Sequence, residues 1–240
     1  MNTLSFFDNT AQVYVIEADD FIKPDVFDLG DYLSILSEEE KERFNRYKNE
    51  KAQFTFLTAR VYLRVLLSCI ISKNKNWIAT QSSTARNDDL SSLIIETTPS
   101  GKPYLKDYPT LFFNISHTSN LILIGIANSP IGVDVEKIDR NADKDGIIKH
   151  FFSEKEQQSF FSQPENKKEL AFVKGWTRKE AILKATGEGL SSMKNYEVSF
   201  EPETYEPLIF TNSNQSFNIK DFIPSNGYVA CIALFNKKLV

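Results

Sequence analysis

The segment 131–136 reads Ile-Gly-Val-Asp-Val-Glu and places the strongest single constraint on how this chain can fold. Side chains alternate between the two faces of a β-strand. A strand here therefore puts its aliphatic residues on one face and brings Asp134 and Glu136 together on the other. Two neighbouring carboxylates repel each other unless a cation lies between them, and paired oxygen ligands suit Mg²⁺. The alternative is an edge strand whose polar face meets water, the usual environment of acidic side chains.

A second segment, 168–189, has the apolar spacing of an amphipathic helix. Glu180 projects into the apolar face of this helix, and Lys184 lies one turn later at the edge of that face. A carboxylate on the buried side needs a partner. A metal ion shared with Asp134 and Glu136 would supply one. The alternative is an ordinary i,i+4 surface pair between Glu180 and Lys184.

Five motifs follow one another along the chain. In order they are Gly-Lys-Pro-Tyr-Leu at 101–105, Phe-Asn-Ile-Ser-His at 113–117, Gly-Val-Asp-Val-Glu at 132–136, Phe-Phe-Ser-Glu-Lys-Glu at 151–156 and Trp-Thr-Arg-Lys-Glu-Ala-Ile-Leu-Lys-Ala-Thr-Gly-Glu-Gly-Leu at 176–190. With these motifs the chain resembles the Sfp-type 4′-phosphopantetheinyl transferases over roughly residues 30 to 235. One such motif would be weak support, whereas five in the family's order are specific.

The resemblance implies an α/β (α+β) fold, the 4′-phosphopantetheinyl transferase fold, in which two similar α/β subdomains are related by a pseudo-twofold axis. The Asn-Ser-Pro turn at 128–130 is the predicted boundary. It would separate an N-terminal subdomain, 1–128, from a C-terminal subdomain, 131–240, that carries the metal site.

The resemblance also implies an enzyme. It would transfer the 4′-phosphopantetheine group of coenzyme A to a serine of an apo acyl or peptidyl carrier protein in a Mg²⁺-dependent reaction. The products would be the holo carrier and adenosine 3′,5′-bisphosphate. Two alternatives stay open: another Mg²⁺-dependent phosphoryl transferase or nucleotide hydrolase, and a carrier-binding module without catalytic activity.

Within the family's pattern, Asp134, Glu136 and Glu180 would hold the Mg²⁺ ion, and Lys184 would neutralise the leaving phosphate. Glu156 matches the family's candidate general base, which would accept the proton of the carrier serine. The residue-level alternative for this last position is a capping box, because an acid in the first turn after a serine commonly closes a helix start.

The same pattern places four residues on coenzyme A. Lys102 would contact its phosphates, and Ser116 and His117 would hold the 3′-phosphate, whose charge favours a protonated imidazole. Lys51 is the best match for the basic residue that relatives carry on the early helices, while Thr55 stands where some of them carry arginine. Without the resemblance, Lys102 would be a solvated turn lysine and the basic residues of the early helices a solvated helix edge.

Composition permits this interpretation. The chain has 240 residues, 41% of them hydrophobic, and a net charge of −4, so its total charge gives no reason to expect binding to nucleic acid or to an anionic membrane. The start of the chain lacks the basic and apolar regions of a signal peptide, and the longest apolar run, 65–71, is too short to span a bilayer. Cys69 and Cys231 are expected to be buried thiols in a reducing compartment. We therefore expect a cytoplasmic monomer.

Hydrophobic periodicity and turn residues predict the elements of both halves. In the first half the predictions are strands at 13–18, 77–78, 93–96, 111–113 and 121–127, and helices at 41–49 and from there to 71. Ser37, which three glutamates follow, is the predicted N-cap before the first of these helices. In the second half they are strands at 131–136, 196–200, 216–220 and 228–235, and helices at 144–150, 153–161 and 166–186. The run 121–127 is apolar throughout, which predicts burial on both faces.

Overall fold

A computed structural model of the chain describes residues 1–17, 20–23, 29–73, 90–138, 143–200, 208–209 and 216–236. The helices are α1 (Leu29–Ser34), α2 (Glu38–Arg46), α3 (Glu50–Lys73), α4 (Lys144–Phe151), α5 (Glu154–Phe161) and α6 (Glu165–Thr186). The strands are β1 (Asn2–Phe6), β2 (Ala11–Glu17), β3 (Ile95–Thr97), β4 (Pro103–Leu105), β5 (Phe112–Thr118), β6 (Leu121–Ala127), β7 (Ile131–Lys137), β8 (Leu208–Ile209), β9 (Ser216–Phe222) and β10 (Tyr228–Asn236).

Two four-stranded antiparallel sheets organise the protein. The first has the strand order β1-β2-β6-β5 and the second has the order β7-β10-β9-β8, while β3 and β4 form a separate hairpin. The first sheet is built from residues before the predicted turn at 128–130, and the second is built from residues after it. The mixed helix-and-strand fold predicted from the sequence is confirmed. That the two halves are separate subdomains stays a prediction.

Strand β6 coincides with its predicted bounds, and all seven of its residues are buried. Its even-numbered side chains pack in the cluster beneath α3, and three of its odd-numbered ones pack in a cluster shared with the second sheet. Burial on both faces is thus confirmed. The shared cluster joins residues of both halves, namely Val13, Val15, Leu121, Leu123, Ile131, Val133, Ala230 and Ile232 among others.

Helix α2 begins at a capping box. The backbone N–H of Glu40 donates to the Ser37 side chain, and the backbone N–H of Ser37 donates to the Glu40 carboxylate. Such a box satisfies two backbone donors that a helix start leaves without intrahelical partners. The predicted N-cap at Ser37 is confirmed.

The two sheets meet where their outer strands β5 and β7 lie side by side, and we call this contact the seam. The Asn114 side-chain oxygen on β5 accepts a hydrogen bond of 2.9 Å from the backbone N–H of Val133 on β7. Strand β6 also approaches β7 closely, because a Cβ added to Gly125 would lie 2.7 Å from a methyl carbon of Val133. The seam brings residues from the two halves within contact distance of each other.

Helix α6 packs directly on β7. A Cβ added to Gly132 would lie 1.9 Å from the carbonyl oxygen of Ala181 and 2.5 Å from the backbone nitrogen of Ala185. Glycine is therefore required at this position so that the helix backbone can approach the strand. This contact fixes the distance between α6 and the polar face of β7.

We expect Gly132→Ala to lower the free energy of unfolding by about 1–3 kcal/mol or more, because the added methyl group overpacks a backbone contact. Urea denaturation followed by circular dichroism would measure the change. Gly189→Ala is the matched control, since a Cβ at Gly189 meets no atom within 4 Å. Equal stability of the two variants would contradict the close approach of α6 to β7.

The predicted strand at 196–200 is wrong. These residues follow a 3₁₀ segment and have no strand assignment. Side chains satisfy their backbone instead: the N–H of Val198 donates to Glu156, and the carbonyl oxygen of Tyr196 accepts from Lys179. A backbone paired in this way has no groups left for a neighbouring strand.

Other differences are smaller. Strands β1 and β4 and helix α1 were not predicted, and the predicted strand at 77–78 lies outside the described residues. Cys231 is buried as expected, but Cys69 is exposed, so the prediction of two buried thiols is wrong for Cys69. Cys69 lies four residues after Val65, which is also exposed, and the two share the outer face of α3.

Among the described helices, α3 is long and apolar enough, by length and composition alone, to cross a membrane. In this fold 61% of its most apolar window is buried inside the protein. Several of its side chains belong to the hydrophobic cluster under the first sheet. Its apolar character is that of a helix packed in a protein core.

Candidate active site

The polar face of β7 carries the predicted acidic residues and lies against α6. Asp134 is 3% exposed. Its Oδ1 atom accepts from the Lys184 ammonium at 2.6 Å and from the Ser116 hydroxyl at 2.9 Å. The same ammonium lies 3.0 Å from Ser116 Oγ. The alternative of a solvated edge strand is therefore wrong for Asp134, which is buried beneath the helix.

Glu136 and Glu180 complete an acidic cluster with Asp134. Burial, together with the charges of Asp134 and Glu180, raises the pKa of Glu136 to about 7, although Lys184 and a hydrogen bond from Trp176 oppose the shift. Burial also raises the pKa of Glu180, and Asp134 adds to that shift. The predicted surface pair of Glu180 with Lys184 is not formed, because the ammonium binds Asp134 instead.

The donor chemistry of the cluster fits a divalent cation. Asp134 Oδ2 is buried and has no hydrogen-bond partner, an expensive state for a carboxylate oxygen that a hard cation would relieve. As the side chains stand, no group of three or more His, Cys, Asp or Glu in the described ranges is arranged to hold a metal ion. The Lys184 ammonium already occupies the other oxygen of Asp134.

Basic groups lie beside this cluster. His117 is an exposed residue, but partial desolvation of its ring lowers its pKa, and the positive charges of Lys184 and Arg43 lower it further. His117 is on β5, Lys184 on α6 and Arg43 in the last turn of α2, so three elements direct positive charge to one place. An anion bound there would be favoured by all three groups, and it would raise the pKa of His117 again.

Arg43 was missed by the sequence reasoning. Its guanidinium lies 5.1 Å from the centre of the Phe56 ring, and that of Arg60 lies 5.4 Å from the same ring. Arg60 and Arg64 are held inward by Glu40, at 3.7 and 2.8 Å. Arg43 is exposed by contrast, and its electrostatic effect on His117 is the signal that identifies it.

The predicted coenzyme A contact Lys51 is an exposed residue near the same edge. Its ammonium donates to the Asn120 side chain at 3.0 Å, and Asn120 lies in the turn between β5 and β6. The charge of Lys51 therefore faces the turn that follows His117. Thr55, four residues on, turns its hydroxyl back to the Lys51 carbonyl.

Lys102 follows Gly101, whose φ of +87° confirms the predicted turn. Its ammonium donates to the carbonyl oxygen of Ala185 at 2.5 Å, and burial lowers the pKa of Lys102 to about 8. A cation on the last carbonyls of a helix is a favourable C-terminal contact. Lys102 thus ties the β3–β4 hairpin to the end of α6, and its contact with the phosphates of coenzyme A stays a prediction.

Glu156 lies in a buried ion pair. It is 3% exposed, and its Oε2 atom lies 2.8 Å from the fully buried ammonium of Lys179. The backbone N–H of Ser153 donates to the same oxygen, and that of Val198 donates to Oε1. The capping-box alternative is confirmed. Both carboxylate oxygens are already bonded, so the role of general base stays a prediction without support from the geometry.

The seam therefore joins a buried acidic cluster to a basic edge. Carboxylates next to positively charged groups are an arrangement that suits enzymes acting on phosphorylated ligands. Similarity to known proteins agrees with this class. Residues 130–233, which include β7 and α6, match the model of the 4′-phosphopantetheinyl transferase superfamily. The second half of the chain is therefore similar to this superfamily.

Three relatives illustrate the match. The 4′-phosphopantetheinyl transferase HetI of Nostoc sp. is 29% identical over 210 residues, covering 86% of this chain and 81% of that protein. The 4′-phosphopantetheinyl transferase Sfp of Bacillus subtilis is 27% identical, over 82% of this chain and 81% of its own. A putative 4′-phosphopantetheinyl transferase of Synechocystis sp. is 34% identical, over 71% of this chain and 64% of its own.

Proposed function

We propose that this protein transfers the 4′-phosphopantetheine group of coenzyme A to a serine of an apo carrier protein, with Mg²⁺ as cofactor. The match of residues 130–233 to the superfamily model and the names of the relatives support the reaction. The observation that carries the proposal is the cluster of Asp134, Glu136 and Glu180 at the seam, with Lys184 and Ser116 bonded to Asp134.

In this proposal Asp134, Glu136 and Glu180 hold the metal ion. When bound, Mg²⁺ would act as a Lewis acid on pyrophosphate oxygens. The chain's own groups supply the rest of the electrostatic stabilisation that phosphoryl transfer requires. Lys184 has a flexible, charged end at the edge of the cluster and neutralises charge on the leaving phosphate.

The 3′-phosphate of coenzyme A would lie against His117, with Arg43 as the basic residue of the early helices. The positive charges that depress the pKa of His117 make that place attractive to an anion. Lys51 lies close enough in the fold to extend the same basic edge toward Asn120. Lys102 acts on the site through the end of α6, which it holds by the carbonyl oxygen of Ala185.

We expect His117→Ala and Arg43→Ala each to weaken coenzyme A binding by about 1–3 kcal/mol, the scale of a lost charge-assisted hydrogen bond. Calorimetric titration would measure it. With 3′-dephospho-coenzyme A the loss should shrink, because the anion that these groups hold is missing. Arg46→Ala, the same change one turn away on α2, is the control. Equal losses on both ligands would contradict the assignment.

The proposal is tested directly by incubating the protein with an apo carrier protein, coenzyme A and Mg²⁺. The expected result is a carrier whose intact mass rises by one phosphopantetheine group. Replacing the carrier by plain nucleotides separates this reaction from a general phosphoryl transferase or hydrolase. Coenzyme A binding without any change in carrier mass would instead indicate a non-catalytic carrier-binding module.

We further propose that the protein works in the cytoplasm as a monomer and binds neither nucleic acid nor membrane. The sequence feature that supports this is the net charge of −4, which gives no reason to expect binding to a polyanion. Size-exclusion chromatography with light scattering would test the oligomeric state.

A further inference from the structure

The two oxygens of Asp134 have opposite environments. Oδ1 accepts from two donors, the Lys184 ammonium at 2.6 Å and the Ser116 hydroxyl at 2.9 Å. Oδ2 is buried and has no hydrogen-bond partner. The carboxylate is therefore held and charge-balanced through Oδ1 only. Its second oxygen, Oδ2, lacks the donor or cation that a buried carboxylate oxygen needs.

Lys184 is the positive charge that acts on the whole acidic cluster. It forms a salt bridge with Asp134. Asp134 raises the pKa of Glu136 and of Glu180 by repulsion, and the positive charge of Lys184 opposes both shifts. In doing so it compensates the same carboxylates that the proposed function assigns to Mg²⁺. One lysine carries a single charge, so the cluster of three acids remains undercompensated while Lys184 is its cation.

The two side chains of this salt bridge differ in how exposed they are and in how easily they can move. The Asp134 side chain is 4% exposed and lies on a strand packed between α6 and β10. The Lys184 side chain is 29% exposed and ends in a flexible four-carbon stem. Its charge is felt by His117, on the anion-binding edge. The ammonium can therefore move toward a bound phosphate while Asp134 stays in place.

We propose that Lys184 is an internal counter-ion that occupies part of the metal site until coenzyme A binds. The phosphates of coenzyme A attract the ammonium away from Asp134 Oδ1, which then keeps only the Ser116 hydroxyl as a donor, and the charge of Asp134 becomes available to the metal ion. This inference rests on the proposed function, whose metal ligands and substrate it uses. It makes metal and coenzyme A binding mutually reinforcing, by the same factor in both directions.

The experiment measures metal binding by calorimetry, with Mn²⁺ as the probe and no carrier protein present. Without coenzyme A, Lys184→Met should bind Mn²⁺ about fivefold or more tightly than the wild type, because the ammonium no longer competes for Asp134 Oδ1. Coenzyme A should tighten Mn²⁺ binding at least about fivefold in the wild type and clearly less in the variant. Lys184→Gln, which keeps a polar end without the charge, should behave like Lys184→Met.

Lys168→Met is the matched control. It is the same substitution on the same helix, but its ammonium pairs with the exposed Glu165 far from the cluster. Its Mn²⁺ affinity should stay within about twofold of the wild type, well below the smallest coupling that would count as allosteric. Thermal melting of each variant confirms that the protein titrated is folded.

Mn²⁺ affinity that is unchanged or weaker in both Lys184 variants would overturn the counter-ion proposal. If the wild type nevertheless modifies an apo carrier, the proposed function stands and only the role of Lys184 falls. If the wild type neither binds Mn²⁺, with or without coenzyme A, nor modifies the carrier, both proposals fall.

Discussion

Replacing Glu180 or Glu136 by Gln, or Asp134 by Asn, should slow phosphopantetheine transfer about a hundredfold or more in each case. Losses of partners that merely orient metal ligands already cost 10–100-fold, and loss of a ligand removes more. These substitutions keep the side-chain shape and remove only charge from a crowded acidic cluster. The readout is the initial rate of carrier modification at saturating Mg²⁺.

Glu136→Gln should make the folded protein more stable although it slows transfer. The folded-state pKa of Glu136, about 7, lies above the usual value of 4.5, so the ionised carboxylate destabilises the fold above pH 7, and this penalty disappears as the pH falls toward 4.5. Glu136→Gln should therefore melt above the wild type at pH 8, and the difference should shrink toward pH 5.

Glu165→Gln is the matched control for both measurements, because Glu165 is an exposed residue at the start of the same helix α6. It should leave transfer and melting temperature close to those of the wild type. Near-wild-type transfer in all three cluster variants would eliminate the metal-site assignment. A Glu136→Gln protein that melts lower at pH 8 would contradict the electrostatic strain described for this residue.

Lys179→Met should lower the free energy of unfolding by about 3–5 kcal/mol, the usual cost of leaving one member of a buried ion pair alone. The Lys179 ammonium is fully buried and also donates to the carbonyl oxygens of Met193 and Tyr196. It therefore joins α6 to α5 and to the segment that follows α6. Urea denaturation measures the loss, and Lys155→Met, whose side chain is 81% exposed, should cost less than about 1 kcal/mol.

The partner variant Glu156→Gln separates structure from chemistry. It should also destabilise the protein, yet at a temperature where it is fully folded its transfer rate should stay within about tenfold of the wild type. A general base contributes about 10²–10⁴-fold, so a loss of that size in folded Glu156→Gln would restore the catalytic role predicted from the motif. Combining Glu156→Gln with Lys179→Met should recover part of the lost stability, because no unpaired charge then remains buried.

The features that the sequence predicted best are those that depend on local sequence patterns. The bounds of β6, the N-cap at Ser37 and the long helix that carries Glu180 all follow from short-range periodicity or capping chemistry. The pairing of Asp134 with Glu136 on one face of β7 follows in the same way, because it needs only the two-residue period of a strand.

What the sequence could not provide depends on contacts between distant segments. Arg43 becomes relevant only because α2 lies near His117, and Lys102 turns to the end of α6 only because the hairpin packs there. The segment 196–200 has a strand-like composition, but buried charged side chains take its backbone groups. The spacing of residues along the chain does not predict such contacts between distant segments.

The seam also has a bearing on solubility. Strands β5 and β7 end their sheets, and such outer strands offer unpaired backbone groups to any other extended chain. Here two hydrogen bonds link the outer strands β5 and β7. Asn114 accepts from the backbone N–H of Val133, and Ser116 donates to Asp134. If the two halves separate, the edge strands of both sheets become exposed at the same time. A substitution that loosens the seam should therefore first cause precipitation when the protein is concentrated.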